Sequence, residues 1–176
     1  MKTVSRIVTA ITCLAASALW VSAQDDKPAP KPEDRKVLFG EQHMHTAASP
    51  DAFAVGTRGG WEDAYDWALG KEVTLSTTGE KIKKSTPYDF VAITDHAEYF
   101  GVMPRLIDPK DPLSKSDFAK KLQNPGKGAM TDPDSAISII LGSILTSTAM
   151  PEYVSPDLLQ ENWKRYVDVA NKYNDP

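Results

Sequence analysis

The chain has 176 residues, 41% of them hydrophobic and 25% charged, with a formal charge of −4. That is enough for one domain with a real core, and the acidic balance argues against nucleic acid as a partner, which usually needs a basic surface. The single cysteine, Cys13, lies in the N-terminal apolar stretch, so neither disulfides nor thiolate catalysis is available to the rest of the chain.

Residues 1–23 read as a secretory signal peptide. Lys2 and Arg6 make a basic start, Ile7 to Trp20 is mostly apolar, and Val21-Ser22-Ala23 offers small residues for cleavage before Gln24. A membrane anchor is the competing reading, but the apolar run is shorter than the roughly 20 residues that span a bilayer. The expectation is export to the periplasm or the exterior, with no membrane attachment after cleavage. Residues 24–36 are dominated by proline and charge and read as a solvated linker. One domain is expected over 37–176.

That domain is expected to open with a strand at Val37-Leu38-Phe39, ended by a tight turn at Gly40. A polar loop follows from Thr46 to Arg58. Trp61, Ala64, Tyr65, Ala68 and Leu69 recur at helical spacing, with Gly70 where a C-terminal cap belongs. Val73 and Leu75 alternate with polar residues before Gly79, which predicts a small hairpin over 73–82. Phe90-Val91-Ala92-Ile93 is a continuous apolar run, the pattern of a parallel strand covered on both faces. Residues 101–132 are broken by Pro104, Pro109, Pro112, Pro125, Gly126 and Gly128, leaving only Ser116–Leu122 for a short helix. This reads as a long loop over the active face. Asp132-Pro133 and Ser155-Pro156 each pair a capping residue with a proline at the first helical position. The first helix would bury Ile137, Ile140, Leu141, Ile144 and Leu145. The second would bury Leu159, Trp163, Tyr166, Val167 and Ala170.

All three histidines fall in two places, His43-Met44-His45 and Asp95-His96, each directly after an apolar strand. Alternation along a strand puts His43 and His45 on one face. Neutral imidazoles beside a carboxylate are the usual ligands of zinc, manganese and iron. The competing reading makes them strand-end polar residues hydrogen-bonded to loops. Glu41 shares the face of His43 and His45, and is either a partner that orients an imidazole or a plain surface glutamate. Trp61, Trp67 and Trp163 are expected in the core, and Glu98 in solvent. A bound metal lowers the pKa of its water, so hydroxide forms near neutral pH and ester hydrolysis becomes the natural reaction class.

Gly40-Glu41-Gln42-His43-Met44-His45-Thr46, with Ser49 and Asp51 following, resembles the first motif of the PHP (polymerase and histidinol phosphatase) superfamily. Val91-Ala92-Ile93-Thr94-Asp95-His96 resembles its second motif, and the run from Asp89 to Gly101 is similar to an exported branch, the domain-of-unknown-function family 3604. The resemblance implies an α/β fold, a distorted (β/α)7 barrel with up to three divalent metal ions at its strand ends. It implies that His43 and His45 bind a first metal and that Asp51 and His96 bind another. Asp95 would be a ligand or would orient His96. It further implies a small-molecule ester substrate, phosphate or sulfate. The superfamily pattern also needs a later bridging glutamate, more histidines and a C-terminal Asp-x-His, and no histidine follows His96. Two convincing parallel strands cannot close a barrel. The expectation is therefore the N-terminal portion of a PHP-type barrel, incomplete in this chain. A non-catalytic metal-binding remnant of the same fold is the alternative.

Overall fold

The computed structural model describes residues 31–123 and 131–174. The expected signal peptide and most of the expected linker lie outside the described residues. The chain divides into two units, Met1–Val37 and Leu38–Pro176. The described part of the first holds a single 3-10 turn, Pro32–Asp34, with no buried residue.

The parallel pair of the second unit is β1 (Gly40–Met44) and β4 (Phe90–Ile93), in register Gly40↔Phe90, Glu41↔Val91 and Met44↔Ile93 with an irregularity between Glu41 and Met44. β2 (Val73–Thr74) and β3 (Lys81–Ile82) form the antiparallel hairpin, turned through Gly79 at φ 73°. No closed barrel occurs among the described residues.

The first strand thus begins at Gly40 rather than ending there. Leu38 and Phe39 are apolar but exposed, at 59% and 71%. Pairing with β4 decides the position: Asp89 N–H donates to Phe39 O at 2.8 Å and Thr94 N–H to Met44 O at 2.8 Å, framing Gly40–Met44 between them. Gly40 makes no turn. A Cβ there would collide with the Phe90 carbonyl oxygen and ring, so glycine is needed for close strand approach. β4 is not covered on both faces either. Ile93 is buried and Val91 half-buried, while Phe90 and Ala92 on the alternate face are exposed.

Among the described residues there are six α-helices: α1 (Pro50–Ala54), α2 (Trp61–Ala68), α3 (Val102–Ile107), α4 (Asp117–Gln123), α5 (Ala136–Leu145) and α6 (Pro156–Tyr173). α2 packs on β4 and α6. α1, α3, α4 and α5 enclose the main core, which includes Phe53, Val102, Met103, Leu106, Leu122 and Ile140.

That core corrects two expectations. The stretch Thr46–Arg58 is no polar loop: Thr46, Ala47, Ala48, Ser49, Pro50 and Phe53 are all buried, and α1 lies within it. Residues 101–123 are no lid. α3, a 3-10 turn at Pro112–Lys115 and α4 fill most of the segment and supply the most buried side chains. Its prolines sit where proline is tolerated: Pro104 in the first turn of α3, Pro109 beyond its end, and Pro112 at the start of the 3-10 turn.

Capping corrects a third. α5 begins at Ala136, with Ser135 Oγ accepting from Ser138 N–H at 3.1 Å, while Asp132 instead supports the preceding turn. Leu145 then falls outside the buried face, at 85% exposure. α6 starts as the sequence suggests, at Pro156 with Ser155 as cap. Its most buried side chain is Asn162, and Trp163 is 57% exposed. The reason is polar: Asn162 Nδ2 donates to Phe100 O at 2.8 Å and Oδ1 accepts from Arg105 Nη1 at 3.1 Å. Gly101, at φ 70°, lets the chain pass against it, since a Cβ would lie 3.0 Å from Asn162 Cβ.

Candidate metal centre

Three pieces of chain meet at the C-terminal ends of the parallel strands. β1 delivers His43, with His45 just past its end. The residues just past the end of β4 are Thr94, Asp95 and His96. The start of α1 delivers Ser49 and Asp51.

Asp51 is the centre of the group. Its Oδ2 lies 2.8 Å from His45 Nδ1 and 3.5 Å from His96 Nε2. One donor atom from each of His45, Asp51 and His96 falls within 4.8 Å of the others. The His45 and His96 rings stand edge to face, 5.0 Å between centroids. Ser49, fully buried, ties the cluster together. Its hydroxyl donates to Asp51 Oδ1 at 2.6 Å and accepts from the His96 backbone N–H at 3.0 Å. Burial alone would raise the Asp51 carboxyl, but hydrogen bonds from Ser49, the Ala52 backbone and His45 outweigh it and hold it at about 2. The carboxylate is therefore ionised throughout the neutral range, as a metal ligand must be.

The remaining expected residues lie beside the cluster rather than in it. The His43 ring is 4.6 Å from that of His45, and its Nδ1 lies 2.9 Å from Thr94 Oγ1. Asp95 has both carboxylate oxygens engaged by Thr46 and Trp61. Its Oδ1 accepts from Thr46 N–H at 2.5 Å, and its Oδ2 accepts from Thr46 Oγ1 and Trp61 Nε1, both at 2.8 Å. It locks the end of β4 to the end of β1 and to α2. Glu41 does not reach an imidazole. Its Oε1 accepts from the N–H groups of Gln42 and His43 at 2.9 and 3.1 Å, within the irregular part of the β1–β4 ladder. It thus supports the backbone that carries His43. Glu98, half-exposed, places Oε2 3.5 Å from His96 Nδ1. Trp61 is half-buried, with its ring on Phe100 and Tyr166, each 5.5 Å between centroids.

The histidines are legible in the sequence as ligand types, while Asp51 enters only through the resemblance to the PHP first motif. The roles of Ser49, Thr46, Thr94 and Trp61 are not legible there, because hydroxyls and indoles carry no such signal. A Ser two residues before Asp51 is the one hint, as this spacing lets its hydroxyl reach the carboxylate.

The donor set fits a divalent ion. Two imidazoles and a carboxylate suit zinc, manganese or iron. The donor atoms lie 2.8 Å apart for His45–Asp51 and 3.5 Å for Asp51–His96, all within 4.8 Å, so the three groups could converge on one ion. Among the described residues no helix is long and apolar enough to cross a membrane.

No curated protein and no solved structure matches the chain. One family model does, over residues 32–176, and its description is a protein of unknown function, DUF3604. The motif residues His43, His45, Asp51 and His96 all lie inside that match, and the chain belongs to the DUF3604 family.

Proposed function

We propose that this protein is an exported, metal-dependent hydrolase of phosphate or sulfate esters, with a fold related to the N-terminal part of the PHP-type (β/α)7 barrel. The observation that carries the reading is the convergence of His45, Asp51 and His96 at the C-terminal ends of two parallel strands. Ligand sites in parallel α/β proteins lie at that end. The ion, when bound, supplies positive charge against the ester and makes water a nucleophile near neutral pH. The chain's own residues do the rest. Asp51 and the two imidazoles bind, and Ser49 orients Asp51 and anchors the His96 backbone. Asp95 and Trp61 hold the two strand ends together, and Glu41 fixes the backbone at His43. Export rests on the sequence of residues 1–23.

A metal-binding module without turnover is the second reading. The size of the cluster favours it, since three donor groups suffice for one ion and not for three. The test separates the two. Protein loaded with manganese or zinc is assayed on phosphate and sulfate esters, with bound metal counted in parallel. Turnover that disappears on chelation and returns with metal supports the hydrolase. A single bound ion with no turnover on either ester class replaces it with the binding module.

A further inference from the structure

A cavity of about 350 Å³ opens beside the cluster, with His45 in its wall. That volume suits a small-molecule ligand rather than a polymer. Its other walls differ sharply in character. Trp67 of α2, Val73 and Leu75 from the first arm of the hairpin and Ile82 from the second make an apolar side. Arg58 supplies a cation.

Arg58 is held as a binding group rather than a surface charge. Its Nη1 donates to Phe53 O at 2.7 Å and to Thr57 O at 2.8 Å. Its guanidinium carbon lies 3.7 Å from the centroid of the Phe53 ring. These contacts fix the plane and orientation of the group. They bring no negative charge: among the described residues no carboxylate pairs with Arg58. Asp63, also in the cavity wall, is turned to cap α2, accepting from Gly60 N–H at 2.8 Å. Burial lowers the Arg58 pKa. A part-buried guanidinium without a counter-charge is costly unless a ligand provides one.

We propose that this cavity is the substrate seat, and that it takes a phosphate or sulfate monoester of an apolar alcohol or phenol. Arg58 binds the anionic group next to His45, and Trp67, Val73, Leu75 and Ile82 cover the organic part. This rests on the hydrolase reading for the reaction, but not for the binding. In the reaction the oxygen of water bonds to phosphorus or sulfur and the bond to the ester oxygen breaks. One proton of water passes to the departing alcohol, and the other remains on the oxyanion side. A planar guanidinium matches a phosphate or sulfate in a bidentate manner. The apolar wall excludes polyols, whose hydroxyls would lose water without finding partners.

The test is binding of benzylphosphonate and methylphosphonate, which cannot be hydrolysed, to the full chain by calorimetry with and without manganese. Hydrolysis of hexyl phosphate and glycerol phosphate is measured in parallel. The expected result is benzylphosphonate bound about tenfold or more tightly than methylphosphonate. Arg58→Gln should weaken both by about tenfold or more. Leu75→Ser, on the hairpin, where it threatens folding least, should narrow the benzyl preference and spare methylphosphonate. Equal affinity for the two phosphonates, no binding of either, or a preference unmoved by Leu75→Ser overturns the proposal. If benzylphosphonate binds as expected but neither ester is cleaved, the seat stands and the hydrolase reading falls. If glycerol phosphate is cleaved as well as hexyl phosphate, the hydrolase reading stands and the apolar seat falls.

Discussion

Ser49→Ala removes one oxygen that links Asp51 to the backbone of His96. The hydroxyl donates to Asp51 Oδ1 at 2.6 Å and accepts from the His96 N–H at 3.0 Å. It lies 3.4 Å from His45 Nδ1 and is fully buried, so alanine fits but water does not readily replace the oxygen. A hydrogen bond to a charged group is worth about 1.5–3 kcal/mol and a neutral one about 1 kcal/mol. The first figure is reduced here, because the Asp51 side chain is 45% exposed and can recruit solvent. A loss of about 2 kcal/mol is the result, or a fall in Tm of about 4–8 °C for a chain of this size. The effect on metal is larger in relative terms. Groups that orient ligands typically govern about 10–100-fold in metal affinity. Thermal unfolding by circular dichroism and a calorimetric manganese titration on parent and variant measure both. A variant that keeps its Tm within about 1 °C and its metal affinity within about twofold refutes the assignment of Ser49 as the link between Asp51 and His96.

Asn162→Leu strands Phe100 O, leaves Arg105 with only Asp111 and Glu161, and crowds a bulkier side chain against Gly101, and should cost about 2–3 kcal/mol in urea unfolding. Gly101→Ala forces an L residue to φ 70° and brings its Cβ to about 3 Å from Asn162, which should cost about 1–3 kcal/mol by the same measurement. Glu41→Ala frees the Gln42 and His43 N–H groups and should lower stability by about 1 kcal/mol, with Glu41→Gln recovering part of it. Tyr65 and Tyr173 stack at 5.0 Å and are each pushed up to about 12 from 10.0, by burial first, then by Tyr166 for Tyr65 and by Asp66 for Tyr173. A folded-state pKa above the unfolded one stabilises fully below pH 10 and is lost as pH rises toward 12. Stability should therefore fall through that window, and phenolate absorbance should appear late. Tyr65→Phe and Tyr173→Phe should each flatten the fall.

The sequence carried the parallel pair and the hairpin because their signals are local: Phe90–Ile93 is one apolar run, and Gly79 sits at the turn. It misplaced the first strand because Val37–Phe39 is more apolar than Gly40–Met44, and only pairing with β4 shows which segment joins the sheet. The buried stretch Thr46–Phe53 has no periodicity to read. Small residues such as Ala47, Ala48 and Ser49 are buried through partners distant in sequence: Ala47 in the main core, Ala48 O under the Gly101 N–H and Ser49 under the His96 N–H. Proline density hid α3 but not α4, which the sequence places at Ser116–Leu122, since the prolines mark element boundaries rather than an absence of structure. Asn162 outranks Trp163 in burial because its partners, Phe100 and Arg105, lie 62 and 57 residues away. At the site the same division holds. Imidazoles and carboxylates announce themselves by type, whereas the Thr46 and Trp61 contacts that occupy Asp95 span 49 and 34 residues.

In the proposed function His45, Asp51 and His96 together hold a divalent ion. A manganese or zinc titration of the purified chain, followed by calorimetry, tests it most directly when repeated on His45→Ala, Asp51→Asn and His96→Ala. The account predicts saturable binding in the parent and loss of about tenfold or more in affinity in each variant. Binding that survives all three substitutions, or no binding in a parent that is demonstrably folded, contradicts it.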